Sequence, residues 1–371
     1  MKYCVLYPET KNVHLIKDVG MIAYKLWKLY GVESSVACYN NDSYEYANSI
    51  LKGLNIEFLH NRFKNDILDG AAYLKKNSRH IDVLQLFHVT LRSIIYTAVY
   101  KHYNKKGKLF LKLDCTEELL DKIRKLGSVK GRLFKYFFKK VDIIGVEQRR
   151  LFEELKYILP DFSMKIHYTP NGMDYDHLNA DEISFKDKKD IILQVGRIGS
   201  KEKNSEMLVE AFIRMKNAEN SHWKLKLVGE TTEEFQKFLS KIITDRPDLG
   251  NGVECVGPIY DRERLMEVYK ESKIFCLTSR FESFGIALME AAACGNVIIS
   301  TNVGIAREFV MEGGRIVEDE DIEGLAKVLE EYTQRSEVED ICYRNITYTK
   351  ENFNWDVIVK DLYEKIVGDG E

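Results

Sequence analysis

From residue 2 onward, short apolar runs rich in β-branched and aromatic residues alternate with longer amphipathic segments. In the first half the runs lie at 2–7 (KYCVLY), 34–39, 54–58, 82–87, 108–113 (KLFLKL), 141–146 and 165–169. Helical periodicity fills the gaps, as at 15–30, 90–104 and 117–139. The second half repeats the theme with runs at 190–195 (DIILQV), 223–228, 253–256, 273–278 and 296–300. Near-continuous apolar strands separated by helices predict parallel sheets covered on both faces. The chain therefore reads as α/β, with two Rossmann-like doubly wound domains, 1–170 and 171–351. The boundary falls at the turn Pro170-Asn171-Gly172. Ligands of such sheets collect at the carboxyl ends of the strands, and with two domains the expected site is a central cleft that both of them face.

A length of 371 residues suits two cores. With 45% hydrophobic and 30% charged residues, the composition is that of a globular protein. No apolar run reaches the roughly 18 residues that span a bilayer. The start, MKYCVLYP, is broken at Pro8 before it could serve as a signal peptide. The expected location is cytoplasmic, with peripheral attachment to the inner face of the membrane as a further expectation. Of seven cysteines, Cys4, Cys38, Cys255 and Cys276 sit in apolar runs and none forms a CxxC pair, so all seven read as structural filling. The net charge of −3 conceals an asymmetry: residues 1–170 carry 29 Lys and Arg against 18 Asp and Glu, and residues 171–371 carry 26 against 40. A basic half suits phosphates, nucleic acid or an anionic membrane. There is no solenoid or propeller repeat, no GxxxxGK[ST], and no GxGxxG after the first strand, so P-loop, nicotinamide and flavin chemistry lose their main support.

The densest group of candidate residues is Ser279-Arg280-Phe281-Glu282-Ser283-Phe284-Gly285-Ile286-Ala287-Leu288-Met289-Glu290, directly after a strand. Gly285 permits close approach of backbone to a ligand. The amides of Ser283, Phe284 and Gly285 precede a helix and suit an anionic oxygen. Glu282 and Glu290, eight positions apart, can hold hydroxyl groups at separate ends of one elongated ligand. A second group, Val195-Gly196-Arg197 with Lys203-Asn204, places two cations past one strand, as a diphosphate requires. Val228-Gly229-Glu230 and Val256-Gly257-Pro258 mark two more strand ends.

In this order, and continuing through Ala292-Ala293-Cys294-Gly295, Glu308, Trp355 and Tyr363, residues 170–365 resemble the family-four type of retaining glycosyltransferases, the glycosyl transferases group 1 with the GT-B fold. The resemblance implies a nucleotide diphosphate sugar as donor, with a UDP-sugar favoured, and a glycan, lipid-linked or protein acceptor in polysaccharide or glycoconjugate synthesis. It implies that Glu290 accepts hydrogen bonds from the donor ribose and that Glu282 contacts the transferred sugar. Arg197 and Lys203 would neutralise the leaving diphosphate, with no metal and no cofactor. The chain positions Gly20, Gly196, Gly229, Ser283, Phe284 and Gly285 would complete the donor site. The second domain would bind the donor and the first the acceptor, with a C-terminal helix, 352–371, crossing back onto the first.

The first half matches less closely. Where the family often has a glycine pair in the first βα loop, this chain has Lys17-Asp18-Val19-Gly20-Met21. Where many members have a histidine after the fifth strand, it has Lys112-Leu113-Asp114-Cys115, so Asp114 is either a catalytic substitute or the N-cap of the following helix. His88 is another candidate, or a satisfied structural histidine. The segment 122–140, KIRKLGSVKGRLFKYFFKK, has eight basic and no acidic residues with aromatics interleaved. It is either a solvated surface helix or an anionic-membrane surface; nucleic acid is not expected, since no binding module accompanies it. Two rivals to a glycosyltransferase remain: a non-catalytic GT-B partner subunit, and a nucleotide-sugar epimerase of the same fold. All of Arg197, Lys203, Glu282 and Glu290 are present, which favours the enzyme.

Overall fold

The computed structural model describes residues 1–114, 117–178, 183–215, 222–247 and 252–368. They form two units: Met1–Gly172 with Trp355–Glu371, and Met173–Asn354.

The first unit is built on strands β1 (Lys2–Leu6), β2 (Glu33–Cys38), β3 (Asn55–Phe58), β4 (Val83–Phe87), β5 (Lys108–Leu113), β6 (Ile143–Val146) and β7 (Ile166–Tyr168). They pair in parallel in the order β3-β2-β1-β4-β5-β6-β7. The chain winds outward from β1 in one direction and from β4 in the other, so the order reverses between these two strands. Helices cover both faces and seal two apolar cores, one around Leu84, Leu111 and Phe138 and the other around Val5, Ile22 and Val36. The second core includes the C-terminal helix Trp355–Val367, which contributes Trp355, Ile358, Val359, Leu362 and Ile366. Full burial of each such side chain contributes about 1.5–3 kcal/mol, enough to hold a 13-residue helix far in sequence from its partners. Tyr363 stacks on Tyr30 at 3.9 Å between ring centres, and buried Lys25 pairs with Asp356 at 2.8 Å.

The second unit carries β8 (Lys189–Val195), β9 (Lys224–Val228), β10 (Val253–Gly257), β11 (Ser272–Leu277), β12 (Val297–Thr301) and β13 (Arg315–Val317), parallel, in the order β10-β9-β8-β11-β12-β13. Here the order reverses between β8 and β11. Both units are thus parallel-sheet, Rossmann-like layers, as the sequence pattern predicts.

Three details differ from the sequence reading. The helical stretches 15–30 and 117–139 are each two helices: Asn12–Leu15 with Asp18–Tyr30, and Glu117–Arg124 with Ser128–Lys140. The second break falls where extended Gly127 starts a new helix, so segment 122–140 is not continuous. Cys255 is exposed and not core filling, because β10 is an edge strand; Cys4, Cys38, Cys276, Cys294 and Cys342 are buried, and Cys115 lies outside the described residues. Among the described residues no helix is long and apolar enough to cross a membrane.

Candidate functional site

In a doubly wound sheet the two loops that leave the reversal point part in opposite directions and open a crevice between them. In the second unit these are the loops after β8 and β11, and they carry the sequence-predicted residues.

After β8, Gly196 donates its amide to Val228 at 2.9 Å, and after β9, Gly229 donates to Gly257 at 3.0 Å. A Cβ on Gly229, whose φ is +140°, would stand 1.7 Å from the Gly196 carbonyl oxygen. These glycines let neighbouring strand ends close on one another; their amides are occupied by backbone carbonyls. The chain then loops back and is clamped to the end of β11. Thr278 donates its hydroxyl to the carbonyls of Lys203 at 3.0 Å and Asn204 at 2.8 Å, and the Arg280 amide donates to the Glu202 carbonyl at 2.8 Å. Helix Ser205–Met215 follows.

The clamp brings Lys203 against Glu282. The Lys203 ammonium donates to Glu282 Oε1, which also accepts from Ser279 Oγ at 2.7 Å. Both side chains are mostly buried, 16% and 15% exposed. Arg197 is placed differently: it is 68% exposed and paired with Glu202 on its own loop. The two cations expected on a diphosphate therefore each already have a carboxylate, and Lys203 alone is built into the crevice wall.

The backbone turns at Gly285, with φ +88°, into helix Ile286–Ala293. Phe284 is buried below this turn, and its carbonyl accepts from the Ile305 amide at 2.9 Å, which fixes the loop. Ser283 lies in the same bend. Glu290, just past the first turn of the helix, is buried and accepts hydrogen bonds from Arg262 and, at 3.1 Å, from the Tyr269 hydroxyl. Burial opposes the charge on Arg262, yet the adjoining Glu290 carboxylate holds its pKa above the ordinary value. Burial and then the same carboxylate push the Tyr269 phenol well up, so it remains a donor. Arg262 and Tyr269 lie on helix Arg262–Glu271 and were not singled out from the sequence. Their signal was the spacing of seven, which puts both on one helix face. Glu308, in the short helical turn Ala306–Phe309 after β12, accepts from the Tyr348 hydroxyl at 3.1 Å.

In the first unit the reading needs one correction. Gly20 is not in a βα loop: it is the third residue of helix Asp18–Tyr30, buried, with its amide donated to Lys17 at 3.2 Å. A Cβ there would meet the Leu15 carbonyl at 2.2 Å, so this glycine lets two helices pack. His88 follows β4 with φ +57° and donates its amide to Lys112 at 3.0 Å. Asp114 stands exposed beyond β5; residues 115 and 116, over which a cap would be formed, lie outside the described residues. On helix Ser128–Lys140, Phe134, Phe137 and Phe138 are buried, while Lys130, Arg132, Leu133, Lys135, Tyr136, Lys139 and Lys140 are exposed.

The family model of the glycosyl transferases group 1 matches residues 178–347. A probable sucrose-phosphate synthase of Thermosipho melanesiensis is 24% identical over 97% of this chain and 80% of that protein. The amylovoran biosynthesis glycosyltransferase AmsD of Erwinia amylovora is 29% identical over 44% of this chain and 45% of its own length. Among solved structures, the Anabaena protein HepE in complex with UDP superposes with a TM-score of 0.73 at 15% identity, over 99% of this chain and 100% of that one. The fold is that of the GT-B glycosyltransferases.

Proposed function

We propose that this chain, whose residues 178–347 belong to the glycosyl transferases group 1, is a metal-independent, retaining glycosyltransferase. It takes a nucleotide diphosphate sugar, with UDP-sugar favoured, and passes the sugar to a hydroxyl of a glycan, lipid-linked or protein acceptor in glycoconjugate synthesis. The observation that carries this reading is the pair of carboxylates held at the reversal point of one sheet, Glu282 with Lys203 and Glu290 with Arg262. The UDP held by HepE favours uridine as the base.

In this account Glu290 accepts from the ribose hydroxyls, aimed by Arg262 and Tyr269. Glu282 and Lys203 hold one another until the donor arrives. The sugar hydroxyls then take over Glu282, and the diphosphate takes Lys203, with Arg197 reaching in from the exposed loop. Cations placed where negative charge develops lower the barrier to departure of the nucleoside diphosphate. The turn at Ser283, Phe284 and Gly285 supports sugar and phosphate at the start of a helix. Asp114 of the first unit is a further candidate catalytic residue. The exposed cations of helix Ser128–Lys140, with Leu133 and Tyr136 among them, favour an anionic membrane surface and hence a lipid-linked acceptor.

The test is transfer by the purified chain from UDP-sugars in excess chelator, with the anomeric configuration of the product read by proton NMR. Retention at full rate is expected. An inverted product, or activity only with added metal, contradicts the proposal.

A further inference from the structure

The helices on the two faces of the first sheet differ in charge. On one face lie Asp18–Tyr30 and Trp355–Val367, which share a core and carry four Lys against four Asp and Glu. On the other, helix Leu91–Tyr103 packs between Asp66–Asn77 and Ser128–Lys140. These three helices carry nine Lys and Arg against two Asp, and both Asp are engaged within the fold. Asp66 accepts from Arg92 at 2.7 Å. Asp69 is buried and accepts from the Tyr39 hydroxyl at 2.9 Å and from the Arg62 and Phe63 amides at 3.0 Å.

The middle helix, LRSIIYTAVYKHY, contains no acid, and its Arg92 and Lys101 are paired with Asp66 and Asp142. Tyr96 and Tyr100 fill the core on its inner side. Steps of four, three and four lead along its outer side through Leu91, Ile95, Ala98 and His102. Leu91 is 62% exposed, and Ile95 is partly exposed without joining the core that Ile94 packs against. This apolar row is flanked on both sides by exposed cations: Lys75 and Lys76 on one neighbour, Lys130, Lys139 and Lys140 on the other. Leu68 and Leu133, about half exposed, continue the apolar surface onto those neighbours.

A second copy of this chain would set one basic face against another. A soluble polyanion would match the lysines and leave the apolar row in water. An anionic bilayer matches both, with phosphates for the cations and a hydrocarbon boundary for the row between them. We propose that this three-helix face, centred on Leu91–Tyr103, docks on an anionic lipid bilayer. Leu91 and Ile95 enter the headgroup boundary, and the flanking lysines lie on the lipid phosphates. This rests on the membrane reading of helix Ser128–Lys140 given above and needs no donor chemistry.

The experiment sediments the full-length chain with vesicles of equal parts phosphatidylglycerol and phosphatidylcholine, and with phosphatidylcholine alone. Leu91→Asp keeps the helix, since a carboxylate at its first position suits the dipole. It should nevertheless lower partition onto the anionic vesicles by about tenfold or more. Lys75→Glu with Lys76→Glu should lower it by about 25-fold, a factor of about five for each lysine near the surface. Ala98→Trp, which enlarges the apolar row, should raise partition by about fivefold. Val357→Asp, exposed on the opposite face, should leave it unchanged. UDP affinity should be the same in all of these variants. Unchanged partition in both Leu91→Asp and Ala98→Trp would overturn the proposal and confine docking to Ser128–Lys140. Equal recovery on the two vesicle types, or none on either, would overturn it as well. Tighter binding to polyuridylate than to vesicles, lost on changing Lys75 and Lys76 but kept in Leu91→Asp, would assign the face to nucleic acid instead. If the vesicle results are as expected but no nucleotide sugar binds or reacts, the transferase reading fails and the docking surface stands.

Discussion

Replacing Arg262 by alanine tests whether Glu290 is held as a ready carboxylate. The Glu290 side chain is 8% exposed and that of Arg262 is 28% exposed, so the pair is buried on one side and reached by water on the other. Removing one member of a fully buried pair costs about 3–5 kcal/mol, because the remaining charge is left without compensation. Tyr269 still donates to Glu290 at 3.1 Å, and water reaches the vacated space from the Arg262 side, which brings the expected cost to about 2–3 kcal/mol. For a unit of this size that is a fall of about 4–12 °C in melting temperature. Affinity for UDP should weaken as well, because the carboxylate proposed to meet the ribose loses the guanidinium that orients it. Calorimetric titration with UDP, alongside scanning calorimetry, reads both effects. Unchanged stability together with unchanged UDP affinity would refute the idea that Arg262 maintains the Glu290 carboxylate.

Lys203→Ala should lower turnover by about 10²-fold or more at saturating donor, and added Mg²⁺ or Mn²⁺ should not restore it; recovery on adding metal would count against a protein cation at the diphosphate. Lys188 is buried and donates to the carbonyls of Lys270, Ser272 and Cys294 at 3.0, 2.9 and 2.8 Å, so Lys188→Met should destabilise the second unit by about 3 kcal/mol or more, measured by urea unfolding. Co-sedimentation with anionic vesicles should exceed that with neutral ones, fall as salt rises, and be lost when Lys135, Lys139 and Lys140 are all changed to Glu, while donor hydrolysis persists. Equal recovery on both vesicle types would return the helix to ordinary solvent.

The central strands of both units were legible because they are buried on both faces and so form unbroken apolar runs, whereas the edge strands β3 and β10 are partly exposed; the three-residue β13 carries too little pattern to stand out. Glu282, Glu290 and Lys203 could be found because each falls at a fixed step from a strand end. Their pairing could not, since the Lys203–Glu282 contact is made by the Thr278 and Arg280 clamp between segments about 75 residues apart. Arg262 sits in RERLMEVYKE, which reads as a solvated helix until a partner is known. Lys112 offered a better clue: a cation inside KLFLKL, in a strand buried on both faces, requires a counter-charge. By resemblance Gly20 falls in the family's first βα loop, whereas here it lies within a helix, as the periodicity over 15–30 indicates, and serves a helix crossing.

The most direct measurement is thermal unfolding of the chain and of Glu290→Gln against a panel of nucleoside diphosphates and their sugars, in excess chelator. A ligand that binds only the native state at about 100 times its dissociation constant adds about 2.7 kcal/mol. UDP and a UDP-sugar should therefore raise the melting temperature of the chain by several degrees, and by much less in Glu290→Gln. If no nucleoside diphosphate or nucleotide sugar shifts the chain, or if the same shift persists in Glu290→Gln, the proposed donor site is contradicted.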